Sequence, residues 1–197
     1  MHMRHETNVH GSIFFLLKKF VDHNLPAGSW EKLNEKAGMD KPDFEMTQSY
    51  PLEAIGNIVA AASEMTGLPE DVLKERFGEY LVPDLFALYK SYLRPEWKTY
   101  DVLVHTEHVM HGAVRKLNST ANPPILNVAV VSKELLMIDY FSKRRMASLA
   151  IGIIKGIARY YNEDKDIIVR SMTALNDERV QIRVEFLNRR DRSQQQV

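Results

Sequence analysis

Tyr140, Ser142 and Arg144 stand two residues apart at the end of a run, Leu135-Leu136-Met137-Ile138-Asp139-Tyr140-Phe141-Ser142, that reads as a β-strand. In an extended segment, period-two positions share one face, so a phenol, a hydroxyl and a permanent cation would converge there. A guanidinium takes a carboxylate through two parallel hydrogen bonds, and hydroxyl donors reach the remaining lone pairs. Such a face suits a ligand with one or two carboxylates. Two plainer readings stand beside it: the polar outer face of a hairpin strand, and a helix-entry charge formed by Arg144 and Arg145.

His105, His108 and His111 are the second group. They follow at three-residue spacing in a stretch of helical periodicity from about Lys98 to Leu117. Residues three apart on a helix are neighbours, while the outer two of such a trio are about 120° apart around the axis. Neutral imidazole suits zinc, iron or copper, and a single histidine in a partly apolar helix is the usual axial ligand of a heme. Spacing alone does not choose among the three, and solvated surface histidines explain them equally. His111 sits at the edge of the apolar stripe, with Val104, Glu107 and Val114 as helix neighbours.

A third group is apolar: Phe14, Leu17, Phe77, Leu81, Phe86, Met110, Met146, Leu149 and Ile153. These side chains can line a flat, dry slot for a porphyrin. Ordinary core packing accounts for the same residues.

The elements that must position these groups fall into two textures. Up to about residue 118 the pattern is helical. A helix is predicted over Ser12 to Val21, another begins at Pro51 and ends at Gly67, and two more open at Pro69 and Pro83. After Asn122-Pro123-Pro124 the chain turns β-rich. Ile125 to Val131 and Leu135 to Ser142 read as a hairpin, and Met146 to Tyr161 as a buried helix. Asp166 to Met172 and Val180 to Phe186 form a second strand pair. The expected class is α+β, with an N-terminal helical subdomain and a C-terminal antiparallel sheet carrying helices.

Composition narrows the function. The 197 residues contain no cysteine, which excludes disulfides, thiolate metal sites and thiol catalysis. Acidic and basic residues balance at 26 each, so bulk charge offers nothing to nucleic acid. No apolar run reaches the roughly 18 residues of a membrane span, and the polar start lacks the apolar stretch of a signal peptide. A cytoplasmic protein is expected. There is no glycine-rich phosphate loop, no His-Glu-x-x-His and no Gly-x-Ser-x-Gly.

Taken together, from about Val9 to Phe186, the chain resembles the heme–nitric oxide/oxygen binding (H-NOX) domain family, in its stand-alone bacterial form related to the sensor domain of soluble guanylate cyclase. His10-Gly11-Ser12-Ile13 resembles the family's opening, and Gly78-Glu79-Tyr80 its glycine-led middle segment. A histidine, a double proline and then Tyr-x-Ser-x-Arg stand here as His111, Pro123-Pro124 and Tyr140-Phe141-Ser142-Lys143-Arg144. The helix from Met146 to Gly156 also resembles the family's.

The resemblance implies a role for each matching position. His111 matches the proximal iron ligand of heme b (iron protoporphyrin IX), lying between the two subdomains. Tyr140, Ser142 and Arg144 match the groups that bind its propionates, and Pro124 the proline that presses on the porphyrin. Oxygen-binding members place a tyrosine where Leu149 stands, with polar partners where Leu17 and Leu81 stand. The apolar set here implies nitric oxide and carbon monoxide as ligands. It also implies a sensor rather than an enzyme, in which ligand binding weakens the iron–His111 bond and shifts its helix. Nothing after Phe186 resembles an output domain, so a separate histidine kinase or cyclic-di-nucleotide enzyme is the expected partner.

The expected organisation is an extension over 1-8, a single sensor domain over 9-187 and a polar tail over 188-197. Within the domain, the helical part runs over about 9-118 and the sheet-containing part over about 119-187. Two rivals make different predictions. A non-heme metal-dependent enzyme would use His105, His108 and His111 with Glu107 or Asp101. A plain interaction domain would use Tyr140, Ser142 and Arg144 to hold a partner's carboxylates.

Overall fold

The computed structural model describes residues 8–39, 44–117 and 123–187. The polar tail over 188–197 and the N-terminal extension, apart from Asn8, lie outside the described residues. Asn8 itself belongs to the fold. It opens strand β1 (Asn8–His10), which pairs antiparallel with β2 (Ser49–Pro51).

Helix α1 (Gly11–Asn24) starts where the His10 ring accepts a hydrogen bond from the Ser12 N–H. It buries Phe14, Leu16, Leu17 and Val21. Helix α2 (Ser29–Lys36) was not expected from the sequence, being two turns long and mostly polar; it is held by Trp30 and Leu33, both buried. Helix α3 (Leu52–Thr66) follows Pro51 and stops at Gly67, as its punctuation predicts.

Helix α4 (Glu70–Leu88) corrects one expectation. Pro83 does not open a new helix but lies inside a single 19-residue one. A proline there forfeits one backbone hydrogen bond and costs about 3 kcal/mol or more. Its neighbours Leu81, Val82 and Phe86 are buried, and burial of each such side chain stabilises by roughly 1.5–3 kcal/mol. Those anchors on either side hold the helix through the break.

A 3-10 turn (Lys90–Tyr92) leads to the stretch with the histidines. The expected long helix is there but changes winding twice: α5 (Thr99–His105), a π-helical segment (Thr106–His111), then α6 (Gly112–Leu117). π-winding is rare and concentrates at functional positions.

The second half is a four-stranded antiparallel sheet and one helix. Strands β3 (Ile125–Ser132) and β4 (Leu135–Phe141) form the predicted hairpin. Helix α7 (Ala147–Tyr160) follows, then β5 (Ile167–Ser171) and β6 (Arg179–Phe186), in sheet order β3-β4-β6-β5. Leu136, Ile138 and Tyr140 of β4 alternate inward with Val180, Ile182 and Val184 of β6. This face packs on Val82, Phe86, Val102, Leu103, Ile151 and Ile154. A second apolar cluster joins α1, α2, α3 and the first part of α4 through Phe14, Leu17, Trp30, Leu33, Ile58 and Phe77. Helix α4 serves both cores, giving Phe77 and Leu81 to one and Val82 and Phe86 to the other. The protein is α+β, as its two textures predict.

Helices α4 and α7 meet backbone to backbone. A Cβ on Gly78 would strike the Leu149 carbonyl oxygen, and one on Gly152 the Glu75 carbonyl oxygen. Only glycine allows this approach. It gives a physical reason for the glycine of Gly78-Glu79-Tyr80 and for the glycines spaced along α7. Among the described residues, no helix is long and apolar enough to cross a membrane.

Candidate functional site

Tyr140, Ser142 and Arg144 do come together, though not by strand periodicity alone. Strand β4 ends at Phe141, and residues 143 and 144 form a turn. The Arg144 N–H donates to the Ser142 hydroxyl at 3.2 Å, and the chain then passes through a left-handed Arg145 (φ 50°) into α7. The polar outer-face reading is thereby set aside. Tyr140 and Ser142 are buried, at 3% and 7% exposure, and Arg144 is half-buried. Burial pushes the Tyr140 hydroxyl up from its ordinary value, opposed by hydrogen bonding with Ser142 and by the nearby Arg144 charge. Burial pulls the Arg144 guanidinium down, offset in part by Tyr140. Among the described residues Arg144 makes no ion pair. A half-buried guanidinium without a carboxylate is costly to keep. Two buried hydroxyl-bearing residues and an unmatched cation form a donor set that lacks an anionic acceptor.

His111 closes the π-helical segment. Its Nδ1 lies 3.0 Å from Glu107 Oε2, and its side chain is 16% exposed. Burial lowers its pKa below the usual histidine value, against the opposing pull of Glu107 and of the Pro124 carbonyl. Burial thus favours the neutral imidazole. With Nδ1 engaged by the carboxylate, Nε2 keeps the lone pair a metal requires.

The sequence offers Glu107 as a helix neighbour of His111 and as a possible extra ligand, and the structure places it against His111 as a hydrogen-bond partner. Its Oε2 also accepts from the Leu126 N–H at 3.0 Å, and its Oε1 pairs with the Arg115 guanidinium at 2.8 Å. Burial would raise its carboxyl, but the Leu126 N–H, His111 and Arg115 together hold it below the ordinary carboxylate value. Leu126 is the register partner of Tyr140 in the β3–β4 ladder. The histidine and the Tyr140 group are thus joined through one carboxylate and one strand pair. No local pattern announces that bond, because Glu107 and Leu126 are 19 residues apart.

Of the nine apolar positions, Phe14, Leu17, Phe77, Leu81, Met146 and Leu149 meet in the N-terminal cluster, Phe86 and Ile153 belong to the core under the sheet, and Met110 is in neither cluster. Leu17 and Leu81 are buried in the N-terminal cluster, and Leu149 and Met146 of the α7 region pack against it. Pro124 is half-buried beside His111.

The other histidines do not converge on His111. The His105 Nδ1–H donates to the Asp101 carbonyl at 2.7 Å, and the ring stacks on Trp97 with centroids 4.6 Å apart. His108 is exposed. Among the described residues no three His, Cys, Asp or Glu side chains are placed to hold a metal ion. That removes the geometric basis of the three-histidine metal enzyme. A cavity of about 390 Å³ lies beside Glu107 and His108, against Leu126, Val128, Met137 and Asp139, and is lined by neither His111 nor the Tyr140 group.

Comparisons with known proteins bear on the fold and the family. The profile of the Haem-NO-binding family matches residues 10–169. Among solved structures, an H-NOX protein from S. oneidensis in the Fe(II)NO ligation state superposes with a TM-score of 0.83 at 20% identity, covering 91% of this chain and 100% of that one. The unliganded Fe(II) H-NOX protein from K. algicida gives 0.81 at 18% identity, covering 92% and 98%. The SO2144 H-NOX domain from Shewanella oneidensis in the Fe(II)CO state gives 0.80 at 20% identity, covering 92% and 100%. No curated protein matches the chain in sequence. At these identities the solved structures establish the fold, and the profile match over most of the chain establishes the family. The chain belongs to the Haem-NO-binding (H-NOX) family of heme-based gas-sensor domains, which are not enzymes.

Proposed function

We propose that this chain binds heme b through the Nε2 atom of His111 and senses nitric oxide, with carbon monoxide as a second ligand. The observation that carries the reading is Arg144, half-buried beside the buried Tyr140 and Ser142 and without an ion pair among the described residues. Two propionates supply the missing anions, and each hydrogen bond to a charged group contributes about 1.5–3 kcal/mol. Bound there, ferrous heme supplies an open coordination position for a diatomic gas.

The chain's own residues select the gas. Leu17, Leu81 and Leu149 exclude water and offer no hydrogen-bond donor. Dioxygen gains most from such a donor, whereas nitric oxide and carbon monoxide bind without one. Pro124, whose carbonyl lies beside the imidazole, would press on the porphyrin. The S. oneidensis relatives bind nitric oxide and carbon monoxide at Fe(II), which supports the same choice here. We assign the output to a separate partner in the cytoplasm, a histidine kinase or a cyclic-di-nucleotide enzyme.

One absorption spectrum tests the reading. The purified, reduced protein should show a Soret band that shifts with nitric oxide and, in air, no persistent oxygenated form. A protein that folds fully without any Soret band after heme addition overturns it. His111→Ala that retains heme with an unchanged spectrum overturns the ligand assignment.

A further inference from the structure

The Glu107 carboxylate lies where three elements meet. It faces the His111 Nδ1 within its own helical segment, the Leu126 N–H at the start of β3, and Arg115 on α6. We infer that Glu107 is the positioning residue of the heme ligand: it holds the proton of His111 on Nδ1, strengthens Nε2 as a donor to iron, and latches the histidine helix to the sheet. This rests on His111 being the axial ligand, and on nothing else in the functional reading.

The chemistry follows from the arrangement. Glu107 is surrounded by donors: the Arg115 guanidinium at 2.8 Å, the Leu126 N–H at 3.0 Å and the His111 Nδ1 at 3.0 Å, a set that suits a carboxylate. An ionised acceptor makes a charge-assisted hydrogen bond about twice as strong as a neutral one. A carboxylate on the outer nitrogen of a ligating imidazole pulls its N–H proton, and the ring becomes more electron-rich at the other nitrogen. The bond to iron is then stronger than a carbonyl-bonded histidine would give. The Pro124 carbonyl also lies within bonding reach of the imidazole, but it is neutral and the weaker acceptor.

Glu107 has an opposing control built beside it. Arg115 takes Oε1, while Oε2 serves His111 and Leu126. The cation withdraws charge from the carboxylate and tempers its pull on the histidine. Removing the cation and removing the carboxylate should therefore act in opposite directions. A purely structural ion pair would give two changes of the same sign, both destabilising.

The test uses the full chain loaded with heme, in wild type, Glu107→Gln and Arg115→Leu. Glu107→Gln keeps the shape and an acceptor for the Leu126 N–H, but removes the charge. Resonance Raman of the ferrous, gas-free protein reads the iron–histidine stretch directly. Glu107→Gln should move that band to lower frequency and raise the heme midpoint potential, and heme retention should fall about 10-fold or more. Arg115→Leu should move the band to higher frequency and lower the potential. Thermal melting of the heme-free proteins gives the structural contribution separately. Lower melting temperatures with an unmoved band and potential in both variants overturn the inference, as do shifts of the same sign. If Glu107→Gln does not fold, the upward shift in Arg115→Leu still decides it. If wild type holds heme and His111→Ala leaves its spectrum unchanged, the ligand assignment has failed, and that outcome is distinct from a normal His111 ligand that is indifferent to Glu107.

Discussion

Helix α7 and the helix of His111 flank the same region of the molecule and are built in opposite ways. Helix α7 is fourteen residues of regular winding, with its glycines set against the backbone of α4. It has no room to slide. The His111 helix passes from α to π and back within nineteen residues, and His111, Glu107 and His108 all lie in the irregular part. The Glu107–Leu126 bond ties that segment to the sheet, beside Val109, which packs on the core under the sheet. A sensor needs one wall that keeps its shape and one that answers the ligand. Leu149, on the rigid wall, belongs to the side proposed to choose the gas. His111, on the irregular one, belongs to the side proposed to report it.

The comparison can be broken most severely at Gly152. A valine there pushes its Cβ onto the Glu75 carbonyl, and neither backbone can yield without separating the helices. Gly152→Val should cost about 3 kcal/mol, at the upper end for overpacking. A fall in the denaturant midpoint with an unchanged m-value checks it. Arg144→Ala comes next. Losing one charged hydrogen-bonding partner of the propionates removes about 1.5–3 kcal/mol. Heme titration at the Soret band should then show roughly 10- to 100-fold weaker binding, with little change in the heme-free melting temperature.

Leu149→Tyr sharpens the assignment of α7. A donor placed on the rigid wall should produce an oxygenated spectrum in air that wild type lacks, and worth only about 1 kcal/mol as a single neutral hydrogen bond. The smallest effect has the opposite sign. A Cβ on Gly112, at the start of α6, would find only the Glu107 carbonyl, 3.9 Å away. Gly112→Ala should stabilise the protein by roughly 0.5–1 kcal/mol, since helical glycine is costly in conformational freedom. A thermal melt reads it, and a loss of stability would show the irregular helix to be as tightly packed as α7.

These elements also mark what was legible in the sequence. The strand pairs and the buried helix α7 were readable because period two and near-continuous apolarity are local signals. The spacing of Tyr140, Ser142 and Arg144 was readable as a set of converging donors, although a turn rather than a strand completes it. Pro83 misled because proline punctuation is a local rule, and the burial of Val82 and Phe86 that overrides it is tertiary. Helix α2 was missed because eight largely polar residues carry too few apolar positions to show a period. The π segment could not be seen, since six residues do not distinguish its winding from α. The Glu107–Leu126 bond could not be seen because it crosses from helix to sheet. Neither the apolar cluster of Leu17, Leu81 and Leu149 nor the choice of His111 over His105 and His108 came from periodicity. Resemblance to the family singled them out, and the described geometry is consistent with both.

The π segment Thr106–His111 has a mechanical meaning of its own. Winding of this kind holds one residue more per turn than its α-helical surroundings can seat. Were the segment to tighten to α, that surplus residue would have to pass along the axis. Each residue in an α-helix carries about 100° of turn and about 1.5 Å of rise. Everything beyond the segment, α6 with Arg115 included, would rotate by about that angle relative to α5. A displacement of a bond length at one end of such a screw becomes a different face presented at the other.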